Sequence, residues 1–157
     1  MPQDAPVLAD LLNEIIAIGG TTAHEAPFSP MAFAGHYLTG PDAVCCHAAF
    51  DGTRALGFQV LATDPSLPPG WLDIGICVRP AARGTGAGTA LFAATLAATL
   101  ATARGKAGVI NATIRADNAM GLRYYTRTGF QDYATDPAFS LQDGRVVGRV
   151  SKRYDLV

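Results

Sequence analysis

A mixed α/β sheet with at least one parallel strand pair around a long helix is the fold this sequence predicts. Three observations carry it. An antiparallel hairpin pattern fills 43–62, with a two-sided apolar run on each side of Asp51 and Gly52. A strand–helix–strand–helix–strand order follows over 71–134. The first two strands of that run are separated by a long helix, and a crossover of that length joins parallel neighbours.

Taken in order, Ala5–Ile18 reads as an amphipathic helix because Val7, Leu8, Leu11, Leu12, Ile15 and Ile16 recur at helical spacing. Asp4 is the expected cap, Pro6 suits the first turn, and Gly19 with Gly20 ends the helix. A polar loop, TTAHEAPFS, leads to Ser29, the expected cap of a shorter helix over 30–38. Strands are expected at 43–50 and 55–62, with Asp51 and Gly52 as the turn between them. The run DPSLPPG then breaks the chain before a strand at Trp71–Val78. The glycine-rich string ARGTGAG opens a long Ala/Leu-rich helix that reaches about residue 104, where Gly105 stops it with Arg104 and Lys106 beside its negative end. β-Branched residues mark a strand at 109–114. A short helix at 118–127 and strands at 130–134 and 145–154 complete the chain.

The 157 residues suffice for one domain with a real core and are too few for two ordinary ones, so 1–157 is read as a single domain. Apolar residues make up 49% and charged residues 16%, which describes a compact globular chain. A net charge of −1 offers no electrostatic attraction to nucleic acid or an anionic membrane surface, and neither partner is expected. Cys45, Cys46 and Cys77 form no CxxC pair and fit a reducing compartment as small strand hydrophobes. The opening MPQDAPVLADLL lacks the basic start and apolar core of a signal peptide, and no uninterrupted apolar stretch reaches the ~20 residues of a membrane span. The cytoplasm is the expected location. No His/Cys/acid spacing suggests a metal site, and His36 and His47 read as structural.

The string from Val78 to Thr89, VRPAARGTGAGT, joins a strand to a helix. Glycines there let backbone approach a ligand closely, and the free amides of the first helical turn hold an anion. The expected ligand group is a phosphate or pyrophosphate. A Walker loop requires lysine after its last glycine, and Thr89 follows Gly88. A dinucleotide fingerprint is GxGxxG near a domain start with an acid about 20 residues on; this turn is GxGxG, lies mid-chain, and meets no acid before Asp117. A purely structural turn is the other reading.

Arg83, Gly86 and Gly88 fit the pattern [QR]xxGx[GA], and ADNAMGLRYYTRTGF follows with Asn118, Tyr125 and Gly129-Phe130. Together these strings resemble the two signatures of the GNAT superfamily of N-acetyltransferases, over about 71–133. The flanking LNEIIAIGGTTAHE and VSKRYDL are similar to the branch that contains phosphinothricin acetyltransferase. The resemblance implies a GNAT fold: a mostly antiparallel sheet with one splayed parallel pair, flanked by about four helices. Family members begin with a strand before the first helix, and here that strand is missing or very short. The implied reaction is acetyl transfer from acetyl-CoA to a small primary amine, by direct attack in a ternary complex and without a metal. A homodimer is the expected assembly.

The resemblance also distributes roles. Coenzyme contacts are implied for Cys77 and Val78 at the strand end, with a main-chain amide near Val78 as the oxyanion donor. Arg83, Gly84, Gly86, Ala87, Gly88 and Thr89 of the turn, and Asn118, complete that set. Tyr125 falls on the tyrosine that protonates the departing thiolate, whereas Tyr124 faces elsewhere and packs. Asp73 stands where relatives carry a glutamate and is the first candidate for the base; a solvent-facing acid at a strand start is the alternative. Glu25, with His24, competes for the base from the loop after the first helix, and both are placed among substrate contacts. Two other functions remain in view: an inactive acetyl-CoA-binding module that keeps the turn without the chemistry, and a thioester hydrolase, for which no nucleophile is evident.

Overall fold

The computed structural model describes residues 2–102 and 107–156. Helix α1 spans Ala5–Ile18 and buries Leu8, Ala9, Leu11, Leu12 and Ile15, the apolar stripe of the sequence. Asp4 stands at its N-cap with helical backbone angles, φ −85° and ψ −6°, and makes no side-chain cap bond, which corrects the expected cap. A side-chain cap needs extended backbone at that position, and the 3₁₀ turn Pro2–Asp4 instead runs straight into the helix. At the other end Gly19 adopts φ 76° and returns its N–H to the Ile15 carbonyl at 3.1 Å.

Ser29 does cap α2, Pro30–Phe33, by accepting from the Ala32 N–H at 3.1 Å. The helix expected over 30–38 changes type after Phe33 and continues as a π-turn, Ala34–Leu38, with the Thr39 N–H bonding five residues back to Ala34 at 2.9 Å. Strands β1, Ala43–Asp51, and β2, Arg54–Ala62, pair antiparallel with Asp51 opposite Arg54. Their turn is therefore Gly52 and Thr53, with Gly52 at φ 57°. The remaining elements are β3 (Trp71–Val78), α3 (Ala87–Thr102), β4 (Val109–Arg115), α4 (Ala119–Arg127), β5 (Gln131–Asp136) and β6 (Arg149–Asp155). The expected stop of α3 at Gly105, with Arg104 and Lys106, lies outside the described residues. The last strand begins four residues later than expected. Residues 139–147 close on themselves first, through Leu141 N–H to Arg145 O at 2.8 Å and Val147 N–H to Phe139 O at 2.9 Å, and Gly148 turns at φ 65°.

Among the described residues the strands form one six-stranded sheet in the order β1-β2-β3-β4-β6-β5. Every neighbouring pair is antiparallel except β3 and β4. No strand precedes α1 among them, and β1 is an edge. One core lies between α1, α2 and the first strands, around Leu8, Leu11, Leu12, Phe33 and Phe58. The other lies on the opposite face, where Ile74, Phe92, Ile110, Tyr125 and Phe130 meet beneath α3 and α4.

The parallel pair is short. Trp71, Leu72 and Asp73 face Val109, Ile110 and Asn111, and there the pairing stops. β3 continues to Val78 bonded only to β2, while β4 continues to Arg115 bonded only to β6. The sheet therefore forks, and the fork opens toward the glycine turn.

Candidate active site

The phase of the ladder decides what the fork exposes. Arg79 donates its N–H to Leu56 O at 2.9 Å, which makes 79/56 a hydrogen-bonded pair in an antiparallel register. Such pairs alternate along a strand, so Cys77 and Gly75 also direct their backbone groups to β2. Ile74, Ile76 and Val78 direct theirs the other way, into the gap that β4 has left. A cleft of about 1660 Å³ passes through this gap. It is lined by Asp73, Cys77, Val78, Arg83, Gly84, Gly86, Gly88, Thr89, Asn118, Tyr125 and His24, whereas Ala87 and Glu25 are not among its walls.

At the wide end the 3₁₀ turn Pro80–Ala82 leads into the glycine string. Gly84 and Gly86 take φ 77° and 91°, where a side chain is strained, and no atom lies within 4 Å of where a Cβ would stand. Ala90 N–H to Gly86 O, at 3.0 Å, is the first bond of α3, so the amides of Ala87, Gly88 and Thr89 have no helical partner. Sixteen residues of α3 align their dipoles behind them. Gly88 differs from the other two glycines: a Cβ there would approach the Tyr124 ring to 3.0 Å, so its smallness serves helix packing. Arg83 folds back and donates Nε to Val78 O at 3.3 Å, tying the turn to the strand end.

Helix α4 supplies the opposite wall. Tyr125 is buried, packed on Phe130 and Tyr124 at centroid distances of 5.0 and 5.1 Å. Its hydroxyl points at Ile74 O across 3.4 Å, a long and weak bond. Burial pushes this phenol well above its usual range, so it is a proton donor and never an anion near neutrality. Tyr124 donates to Gly88 O at 2.9 Å, and burial raises it to about 12. Asn118 uses both ends of its amide: Oδ1 accepts from Gly121 N–H at 2.9 Å as the helix cap, and Nδ2 donates to Thr21 O at 3.0 Å. Cys77 is raised to about 12, by burial first and against the pull of Arg83, which leaves a neutral thiol and no nucleophile.

The narrow end holds the carboxylate. Asp73 sits at the last paired position before the fork, and its Oδ1 accepts from Asn111 Nδ2 at 2.6 Å. Burial, reinforced by the charge of Asp64, lifts its pKa from 3.8 to about 6, while the Asn111 bond acts the other way. His24 and Tyr37 bond across 2.5 Å. Burial and then neighbouring His36 lower the His24 pKa, which favours neutral imidazole. Glu25 turns away from the cleft and accepts the Gln142 N–H at 2.9 and 3.1 Å, joining the loop after α1 to the excursion before β6. Arg115 fastens the same loop, with Nη1 3.4 Å from Thr22 O, while Asp117 takes its other two nitrogens at 2.9 and 2.6 Å.

Sequence reasoning missed Asn111, Tyr37 and Arg115. Strand parity marks 111, 113 and 115 as one polar face of β4, but nothing local says what lies opposite. Among the described residues no group of His, Cys, Asp or Glu is arranged to hold a metal ion.

Residues 10–130 match the sequence model of the acetyltransferase (GNAT) family. No curated protein gives a significant sequence match. In shape the chain is similar to an N-acetyltransferase from Staphylococcus aureus Mu50, at 17% identity and TM-score 0.85, covering 100% of this chain and 95% of that one. A GNAT superfamily phosphinothricin acetyltransferase from Sinorhizobium meliloti, in complex with acetyl-CoA, aligns at 18% identity and TM-score 0.81, covering 99% and 85%. Ribosomal-protein-alanine N-acetyltransferase from Brucella melitensis aligns at 17% identity and TM-score 0.82, covering 99% and 96%. At these identities the likeness is one of fold.

Proposed function

Since the chain belongs to the acetyltransferase (GNAT) family, we propose that it moves an acetyl group from acetyl-CoA to the primary amine of a small molecule, the amine attacking directly within a ternary complex. The observation that carries this reading is the fork. It presents unpaired β3 amides along a cleft that ends at three free helix amides and two positive-φ glycines. That cradle suits an extended pantetheine arm with a pyrophosphate at its end.

Acetyl-CoA supplies an activated acyl thioester. The glycine turn binds its phosphates through backbone N–H groups and the positive end of α3. The Ile76 and Val78 amides stand ready for negative charge developing on the thioester oxygen, and one such preorganised donor is worth about 2.7–4 kcal/mol. Asp73 takes the ammonium proton of the acceptor, directly or through water, because an ammonium nitrogen has no lone pair for attack. With a pKa of about 6 it is mostly ionised at pH 7 and still basic enough to accept. Tyr125 donates its proton to the departing sulfur; its weak bond to Ile74 O costs little to break. His24 and Asn118 shape the junction between the acceptor and the coenzyme arm, and Glu25 contributes by holding the acceptor-side loop.

Coenzyme A release from acetyl-CoA, measured against a panel of amino acids, polyamines and aminoglycosides, tests the reading. Amine-dependent release supports it and identifies the acceptor. Tight acetyl-CoA binding with no release by any amine favours a coenzyme-sensing module. Release without amine indicates hydrolysis.

A further inference from the structure

Asn111 is almost fully buried, at 1% exposure, on a strand whose flanking positions 110 and 112 are apolar. A buried amide must be satisfied or it destabilises the fold. Here each atom has a partner: Nδ2 donates to Asp73 at 2.6 Å and to Thr113 Oγ1 at 3.1 Å, and Oδ1 accepts from the Tyr133 hydroxyl at 2.7 Å.

The placement follows from the strands. Asp73 and Asn111 are register partners in the last rung of the parallel ladder, so their side chains emerge on one face. Tyr133 comes from β5, two strands away, and occupies the irregularity between Asp132 and Ala134. An extra residue in a strand re-aims its side chain, and this one crosses β6 to reach the amide. Trp71 packs against the Tyr133 ring at 5.3 Å and holds it there.

The hydrogen bonds also have a direction. An ionised carboxylate can only accept, which commits Nδ2 to Asp73 and leaves Oδ1 to Tyr133. A tyrosine hydroxyl that donates to Oδ1 keeps the amide from flipping. We infer that Asn111 and Tyr133 are positioning residues for Asp73: the phenol fixes the amide, and the amide holds the carboxylate, charged and aimed, at the narrow end of the fork. The inference rests on the reading of Asp73 as proton acceptor for its catalytic meaning, but the arrangement itself is testable without substrate.

Other charged and titratable groups reach Asp73. Asp64, beyond β2, opposes its ionisation, and Tyr37 and Tyr125 feel its charge from the π-turn and α4. Burial raises both, so they stay neutral near pH 7 and place no second charge beside the carboxylate.

The experiment is a carbon-13 NMR titration of the Asp73 carboxyl in the intact protein, the Asn111→Leu variant and the Tyr133→Phe variant, with no ligand present. Asn111→Leu should move the midpoint upward by about one to two pH units, the worth of a hydrogen bond to a charged group. Tyr133→Phe removes one hydroxyl from a half-exposed ring outside the buried core and keeps the ring's volume, so it tests the same idea with less disturbance of the fold. It should move the midpoint in the same direction by less. Midpoints unchanged in the Tyr133→Phe variant, or in both, overturn the inference. The acid limb of kcat/KM, measured with the amine that the release screen selects, should follow the NMR midpoint. A midpoint that moves while the kinetic limb stays leaves the positioning role intact and refutes Asp73 as the proton acceptor.

Discussion

Replacing Asp73 by asparagine should make the folded protein more stable at neutral pH while it lowers turnover there. Burial first, and then Asp64, raises this carboxyl from 3.8 to about 6 in the folded chain. Between those values the folded state holds a proton that the unfolded state has released, so stability falls as pH rises through the window. At ~1.4 kcal/mol per pH unit, the ionised group costs the fold about 3 kcal/mol above pH 7 and about half of that near pH 5. Partial solvent contact and the new amide's unmet donors reduce the recoverable part to about 1–2 kcal/mol. Urea unfolding of the wild type and Asp73→Asn at pH 5 and pH 7.5 measures it. The variant's advantage should be larger at the higher pH, and turnover at pH 7 should drop and partly return in alkali, where free amine is abundant. A stability difference independent of pH, or a variant weaker than wild type at pH 7.5, would refute the reasoning.

Three further tests address the other parts of the site. Gly86→Asp should abolish acetyl-CoA binding by calorimetry in a folded protein, because φ 91° and a like charge meet at the proposed phosphate cradle; Gly86→Ala, carrying only about 1–2 kcal/mol of backbone strain, should bind detectably, and equal affinities for wild type and the aspartate variant would sink the assignment. Tyr125→Phe deletes only the 3.4 Å bond to Ile74, so coenzyme affinity should persist while turnover falls by ~10²–10⁴. Normal turnover would return Tyr125 to packing. Glu25→Ala frees the Gln142 amide and should raise the KM for amine with little change in kcat; a kcat loss repaired at high pH would exchange its role with that of Asp73.

Local chemistry was legible in the sequence wherever one segment decided the outcome. The β3 bounds Trp71–Val78 and α1 bounds Ala5–Ile18 agree with the residues predicted from pattern alone. The turn conformation of the glycine string was legible because its demand is written in residues 84 and 86 themselves. Gly88 belongs to the same string, yet its neighbour is Tyr124, a tertiary contact that the motif does not reveal. Asp4 has capping chemistry but the wrong backbone angles, which depend on the residues before it. The partner of Asp73 was out of reach for a different reason: it is set by strand register across 38 residues and by an irregularity in β5. The direction of Glu25 follows from the 139–147 excursion, a stretch whose pattern from 145 onward predicts a strand.

The loop after α1 is held at Thr21 and Thr22 through their carbonyl oxygens, by Asn118 and Arg115. Every amino acid owns that oxygen. Those two clamps therefore grip the chain without reading its letters, whereas His24 is held by its own ring against the Tyr37 hydroxyl and Thr22 Oγ1 accepts the His24 N–H. Retaining Asn118, Arg115, Thr22 and His24 and varying only positions 21 and 23 would change the side chains that the loop presents to the cleft while its backbone stays clamped, a separation of support from selectivity confined to those two positions.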